Sequence, residues 1–225
     1  MNIELLNVTP LSILVKAIRT CWDSFDKGDN LGEKDLDLID RVCNKYKHES
    51  VIEHIVFSFN IEGISRLCLQ ELARHRIASL SAKSTRYTLK ELKKEKYFWN
   101  FYEEAPVLGA ISRSRKYINY PKGKESSYED INPQLVQLEI LRQELNNGKS
   151  IDEVKYYLPE CYKTNLVWTI NARSLKNFLN LRLSKSAHYE IRELAKEILN
   201  IINNTEYKIL FKDVKNETAI QDSTL

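Results

Sequence analysis

The sequence predicts an α+β fold: one domain in which an antiparallel or mixed sheet is flanked by long helices. Three observations predict it. Apolar residues recur at helical spacing in several long stretches. Twice the period drops to two, at Ile55, Phe57, Phe59, Ile61 and again at Leu166, Trp168, Ile170, as in half-buried strands. The chain of 225 residues is 43% hydrophobic and 29% charged, without repeat or linker, which suits one globular domain over 1–212 and a polar tail over 213–225.

The elements follow in order. Thr9 reads as an N-cap and Pro10 as the first helical residue, and Leu11, Leu14, Ile18, Cys21 and Trp22 carry an amphipathic helix over 10–24. Gly28 and Gly32 mark a loop, and Leu36, Ile39, Val42, Cys43 and Tyr46 predict a second helix to about Tyr46. The strand from Ile55 ends at Gly63, and Ile64, Leu67, Cys68 and Leu72 restore the helical period to about Arg74. The serine-rich segment that follows reads as loop, and Arg86–Leu89 as a short strand. Residues 90–126 hold Lys-rich turns, aromatics and Pro121-Lys-Gly. Leu135, Leu138, Leu141 and Leu145 predict a long helix with Gly148 beyond its end. Ser150 and Glu153 form a capping-box pair for a short helix that stops before Pro159. After the second strand come helices from about Arg173 and over Ala187–Ile202, then a polar tail expected to fray.

Composition narrows the function. A formal charge of +3 is too small for wholesale nucleic-acid binding. The charge is local instead: between 74 and 96 eight basic residues (Arg74, Arg76, Lys83, Arg86, Lys90, Lys93, Lys94, Lys96) face only Glu91 and Glu95. Cys21, Cys43, Cys68 and Cys161 lack CxxC or metal-ligand spacing, and the first three fall at apolar helix positions. They read as reduced thiols of a cytoplasmic protein without a metal site. No apolar run approaches the roughly 18 residues that span a membrane, and the N-terminus lacks the order of a signal peptide.

Two stretches carry the chemistry. Residues 74–87 read Arg-His-Arg-Ile-Ala-Ser-Leu-Ser-Ala-Lys-Ser-Thr-Arg-Tyr, in which guanidinium forks and hydroxyl donors offer what a phosphate-bearing ligand needs. Residues 171–182 read Asn-Ala-Arg-Ser-Leu-Lys-Asn-Phe-Leu-Asn-Leu-Arg. On a helix, Leu175, Phe178 and Leu179 share the core side, while Arg173, Asn177 and Asn180 share another face. Asn supplies donor and acceptor together, which suits an amide, a ribose or a flavin edge.

Arg74-His75-Arg76, seven residues and then Ser84 resemble the RHR-x7-S signature of the flavin-dependent thymidylate synthases, and the match runs on through Arg86-Tyr87. Asn171-x-Arg173 followed by Asn177-Phe178-x-x-x-Arg182 resembles the family's second signature, and His48–His54 resembles the segment before its first sheet strand. The resemblance implies a homotetramer with active sites at subunit interfaces and FAD bound between chains. It implies that Arg74, His75 and Arg76 contact FAD, with Ser50, Ala82, Asn171, Ala172, Arg173 and Asn177 completing the flavin site. It places dUMP on Glu71, Leu72, Ala73, Arg74, Ala82, Lys83, Ser84, Thr85, Arg86 and Lys155, with Arg86 on the phosphate. Arg182 would face the uracil and stabilise its N3-deprotonated form.

The implied reaction needs no enzyme thiol. NADPH reduces FAD, methylenetetrahydrofolate donates a one-carbon unit to uracil C5, and the reduced flavin supplies hydride, so dUMP becomes dTMP. Three positions depart from the family pattern: Glu71 stands where Gln is common, Ala82 lacks a polar side chain, and Lys155 stands where Arg is common. Lysine neutralises a phosphate but cannot make the bidentate fork. Two other readings are a degenerate relative that binds FAD and nucleotide without turnover, and a basic nucleic-acid-binding module using 74–96. Against the module, only Tyr87 precedes Tyr97 and Phe98 as a stacking surface.

Overall fold

A computed structural model describes residues 1–120 and 128–214. In chain order it contains β1 (Asn2–Val8), α1 (Leu11–Cys21), α2 (Glu33–Ile39), β2 (Val56–Ser65), α3 (Arg66–Ala73), β3 (Ala78–Ala82), α4 (Thr85–Lys93), β4 (Trp99–Asn100), β5 (Ala105–Pro106), α5 (Ala110–Ser114), α6 (Tyr128–Asn146), α7 (Ile151–Val154), β6 (Lys163–Asn171), α8 (Ala172–Arg182) and α9 (Tyr189–Asn203). The fold is α+β, as the two periodicities predict. Its main sheet has the order β1-β2-β6-β3. Ser58 Oγ lies 2.9 Å from Thr169 Oγ1, while the Gly63 N–H donates to Asn165 Oδ1 at 2.9 Å. Partners that ascend one strand descend the other, so β2 and β6 are antiparallel.

The chain forms two compact units. The first comprises Met1–Ile61, Glu71–Ser81 and the chain from Val167 onward. Phe57, Phe59 and Ile61 alternate inward along β2 as the sequence pattern requires, and Trp168 and Ile170 do so along β6. Leu11, Leu14 and Ile18 of α1 and Ile191, Leu194, Ile198 and Ile202 of α9 are fully or almost fully buried in this unit. Tyr207 meets Phe57 edge-on at 5.5 Å, and its hydroxyl donates to the Thr9 carbonyl at 3.0 Å. The second unit comprises Glu62–Gln70 and Ala82–Leu166. Leu89 and Leu92 of α4 join Leu135, Leu138, Leu141 and Leu145 of α6 in its core, with Phe98 and Tyr117. The β4–β5 pair is antiparallel, Trp99 facing Pro106.

Several local expectations need correction. The first helix ends at Cys21, leaving Cys21 and Trp22 exposed rather than in the core. Pro10 is its N-cap, and the Thr9 hydroxyl instead accepts from the Val56 N–H at 3.1 Å. The second helix is α-helical only to Ile39 and widens to a π-helix over Asp40–Lys45. Strand β2 continues through Gly63 to Ser65. The serine-rich segment is not loop, because Ala78–Ala82 joins the sheet edge as β3. Arg86–Leu89 is not strand, because Ser84 caps a helix there and Leu89 and Leu92 bury one side of it. Gly148, at φ 93°, ends α6, and the capping box of Ser150 and Glu153 starts α7, both as predicted. Strand β1 carried no signal. Asp213, placed in the expected tail, has its carboxylate 2.8 Å from Lys176 Nζ. The turn at Pro121-Lys-Gly and the tail beyond Val214 lie outside the described residues.

Candidate active site

In the first unit, the segment leaving α3 and the exposed face of α8 line an open cleft of about 770 Å³. Arg74, His75, Arg76, Asn171, Arg173, Asn177 and Arg182 all line it, so the Arg-His-Arg triplet of the first motif meets the second motif here, while Ser84 and Arg86 do not line it. Helix α8 achieves this through its own amphipathicity: Leu175, Phe178 and Leu179 are buried, which turns Arg173 and Asn177 outward. Asn171 caps the helix, its side-chain oxygen accepting from the Ser174 N–H at 2.8 Å.

His75 is fixed from three sides. Its backbone N–H donates to the Leu72 carbonyl at 3.1 Å. Its ring meets Phe178 edge-on at 4.9 Å, and Phe178 meets the buried Trp168 at 5.0 Å. Its Nε2 accepts from Arg182 Nε at 3.0 Å, which puts the ring proton on Nδ1. Burial, reinforced by the cations Arg182 and Arg74 against the opposing carboxylate of Glu71, lowers the imidazole pKa to about 4.

Arg182 is equally constrained. One terminal nitrogen donates to Glu71 Oε2 at 2.6 Å and the other to the Glu71 carbonyl at 3.2 Å. Its five N–H donors thus have three partners in this network, leaving two. Arg74 stands 3.9 Å from Glu71 Oε1. Arg76 is exposed and has no carboxylate within ion-pair distance among the described residues.

Other expected residues play different structural parts. Arg173 pairs with Glu53 at 2.6 Å and stands 3.9 Å from Glu49. Ala172 is buried, and its N–H donates to the Ile55 carbonyl at 2.8 Å. Leu72 is buried and Ala73 exposed. Ser50 precedes the turn Val51–His54 and does not line the cleft, whereas Glu53 from that turn does. Sequence reasoning missed Glu53, Ile77, Ser174, Leu181, Ser186 and Ala187 as cleft residues. The available signals were that Glu53 lies inside the His48–His54 patch and that Ser174 and Leu181 lie inside the second motif.

The remaining expected residues belong to the second unit and form their own cluster. Ala82 ends β3, exposed, and the Lys83 N–H donates to the Asn165 carbonyl at 2.7 Å. Ser84 Oγ accepts from the Arg86 N–H at 3.3 Å as the cap of α4, which begins at Thr85. The Arg86 guanidinium donates to both oxygens of Asp152 at 3.0 and 3.2 Å. Lys155 Nζ donates to Asp152 Oδ1 at 2.8 Å. The hydrogen bonds from Lys155 and Arg86 hold the Asp152 carboxyl below its ordinary pKa.

Comparison with known proteins gives a consistent result. A family profile described as "Thymidylate synthase complementing protein" matches residues 4–205. A flavin-dependent thymidylate synthase of Wolinella succinogenes is 54% identical over 212 residues, covering 94% of this chain and 97% of that protein. One from Helicobacter pylori is 43% identical over 213 residues, covering 95% and 98%. A crystal structure of Thymidylate Synthase X from Helicobacter pylori, with FAD and dUMP, superposes with a TM-score of 0.84 at 42% identity, covering 95% of this chain and 99% of that one.

Proposed function

Because this chain belongs to the flavin-dependent thymidylate synthase family, we propose that residues 1–212 form a catalytic domain that converts dUMP to dTMP in the cytoplasm, as a homotetramer with shared sites. The observation that carries this reading is the meeting of the Arg74-His75-Arg76 triplet with the second signature in one cleft, around the Glu71–Arg182–His75 network.

The cleft's chemistry suits FAD. Ile77 is 72% exposed and Leu181 56%, two apolar side chains beside the guanidinium groups of Arg74, Arg76 and Arg173. A ligand joining an apolar ring system to a pyrophosphate satisfies both sets, the ring covering the apolar pair and the phosphates taking the forks. Arg74, His75, Arg76, Asn171, Arg173 and Asn177 would hold it, with Ser50, Ala82 and Ala172 contributing from their backbone or neighbours. When bound and reduced by NADPH, FAD supplies hydride, and methylenetetrahydrofolate supplies the one-carbon unit.

The chain's own residues position and polarise. Arg182, tied to Glu71 and His75, acts as a positioned cation. Its two remaining N–H groups suit an N3-deprotonated uracil, and the bonds to Glu71 and His75 keep it from swinging away. His75, neutral across the working range, offers its Nδ1–H as a donor. Arg86 and Lys155 would bind the dUMP phosphate, with Lys83, Ser84 and Thr85 around it and Glu71, Leu72, Ala73, Arg74 and Ala82 completing the substrate set. Cys21, Cys43, Cys68 and Cys161 do not line the cleft, and burial pushes the Cys43 thiol up to about 12, which supports a route without a thiol nucleophile.

The test is dTMP formation from dUMP, methylenetetrahydrofolate and NADPH under low oxygen, with and without added FAD. FAD-dependent product is the expected result. Flavin retained without product would instead identify a degenerate binder, and loss of both would overturn the reading.

A further inference from the structure

The second unit contains an internal anion where the proposed function needs an external one. Arg86 and Lys155 converge on the single carboxylate of Asp152, at 3.0 and 3.2 Å from Arg86 and 2.8 Å from Lys155. No other carboxylate pairs with either cation among the described residues. Asp152 is held in place by its helix: α7 begins with the Ser150–Glu153 capping box, which fixes the turn that carries it. The carboxylate is nevertheless 64% exposed and Arg86 61%, so an incoming anion can reach both groups from solvent.

Resting on the reading that Arg86 and Lys155 bind the dUMP phosphate, we propose that Asp152 is a specificity-determining residue: its carboxylate occupies the phosphate position and must be displaced by substrate. Two physical consequences follow. The carboxylate brings one negative charge and two oxygens, whereas a phosphate monoester brings up to two charges and three acceptor oxygens. Dianionic phosphates therefore compete for these donors far better than carboxylates or monoanions. Because α7 holds Asp152 beside the displaced position, its charge also repels the bound phosphate. The same carboxylate thus prevents two adjacent cations from capturing any passing anion and lowers the affinity for dUMP itself.

An alternative role makes the opposite prediction. If Asp152 mainly pre-organised Arg86 and Lys155 for substrate, removing its charge would weaken dUMP binding. Steady-state kinetics of the FAD-loaded enzyme with Asp152→Asn separates the two. Relief of competition and repulsion lowers the KM for dUMP by about threefold to tenfold, the range expected for one or two exposed ion pairs, with the effect on KM rather than kcat. It also steepens the ionic-strength dependence of KM, whereas removal of a cation flattens it. Asp152→Glu, which retains the charge, restores a KM close to that of the native protein. An unchanged or raised KM in Asp152→Asn, or an equal fall in Asp152→Glu, overturns the proposal.

Arg86→Ala tests the underlying reading separately. A raised KM for dUMP supports the phosphate assignment, and against that background a failed Asp152→Asn result sinks only the inference. An unchanged KM in Arg86→Ala would remove the phosphate assignment and the inference with it.

Discussion

At the scale of single residues, Arg182 and His75 can be tested apart from each other. Arg182→Ala removes the fixed cation expected over the uracil and leaves Glu71 without its 2.6 Å partner. Turnover is expected to fall by at least about 100-fold, as on loss of a preorganised electrostatic donor, while flavin absorbance stays with the protein. The same change costs about 1–3 kcal/mol of stability through the lost charged hydrogen bonds, measurable by urea unfolding. Surviving turnover would remove Arg182 from the catalytic role. For His75 the sign of the pH effect is fixed by its pKa, lowered to about 4 in the folded protein from 6.5. Between those values the unfolded chain binds the proton and the folded one does not, so stability falls as pH drops from about 6.5 to about 4. In His75→Gln the urea midpoint should vary less over that window. Equal slopes in both proteins would contradict the assignment.

At the scale of elements, legibility in the sequence tracked burial. Strand β6 and the inner half of β2 were readable because one face of each is buried, which forces alternation. Helix α8 was readable for the same reason at a different period. Strand β3 was not: it lies at the sheet edge, built of Ala, Ser and Leu, with no fully buried residue. An edge position leaves side-chain choice nearly free, so the pattern carried no signal. Thr85–Lys93 failed in the other direction, since Thr and Tyr near its start favour strand locally while the cap at Ser84 and burial of Leu89 and Leu92 decide for helix. Of the caps, the reciprocal Ser150–Glu153 pair was visible because two side chains at fixed spacing mark it, whereas the single caps at Pro10 and Ser84 were not. Ser150→Ala removes the acceptor for the Glu153 N–H and should cost about 1 kcal/mol, seen as a lower denaturant midpoint at constant m-value. No change in the midpoint would mean that α7 is held by packing alone.

At the scale of the whole molecule, what the sequence hid were contacts between distant segments. Glu53 meets Arg173 across 120 positions, and only the fold brings them together. Arg19 and Asp35 are a stronger case. Both are almost fully buried, and neither stands in a motif. Asp35 accepts from Arg19 Nε at 3.0 Å and from the Leu31 N–H at 3.0 Å. Burial opposes its ionisation, yet the Arg19 hydrogen bond and the backbone N–H groups of Leu31 and Asp29 keep its pKa below the ordinary carboxylate value. Their stabilisation is present above the unfolded pKa and lost as pH falls through the folded one. Asp35→Asn leaves the Arg19 charge buried without a counter-ion and should destabilise the protein by about 3–5 kcal/mol, read from urea unfolding at neutral pH. A loss below about 1 kcal/mol would show that Arg19 finds water or another acceptor.

The aromatic series from His75 through Phe178 to Trp168 has an optical consequence. The indole is fully buried, two rings behind the cleft wall, whereas Trp22 is 54% exposed. These two indoles therefore differ in emission colour, and Trp168 is joined to the wall through Phe178, whereas the third tryptophan, Trp99, packs against the core of the second unit. A yellow ligand seated against His75 absorbs where the Trp168 indole emits, so with Trp99 replaced by Phe the blue edge of the protein's fluorescence is a built-in gauge of cleft occupancy that needs neither label nor turnover.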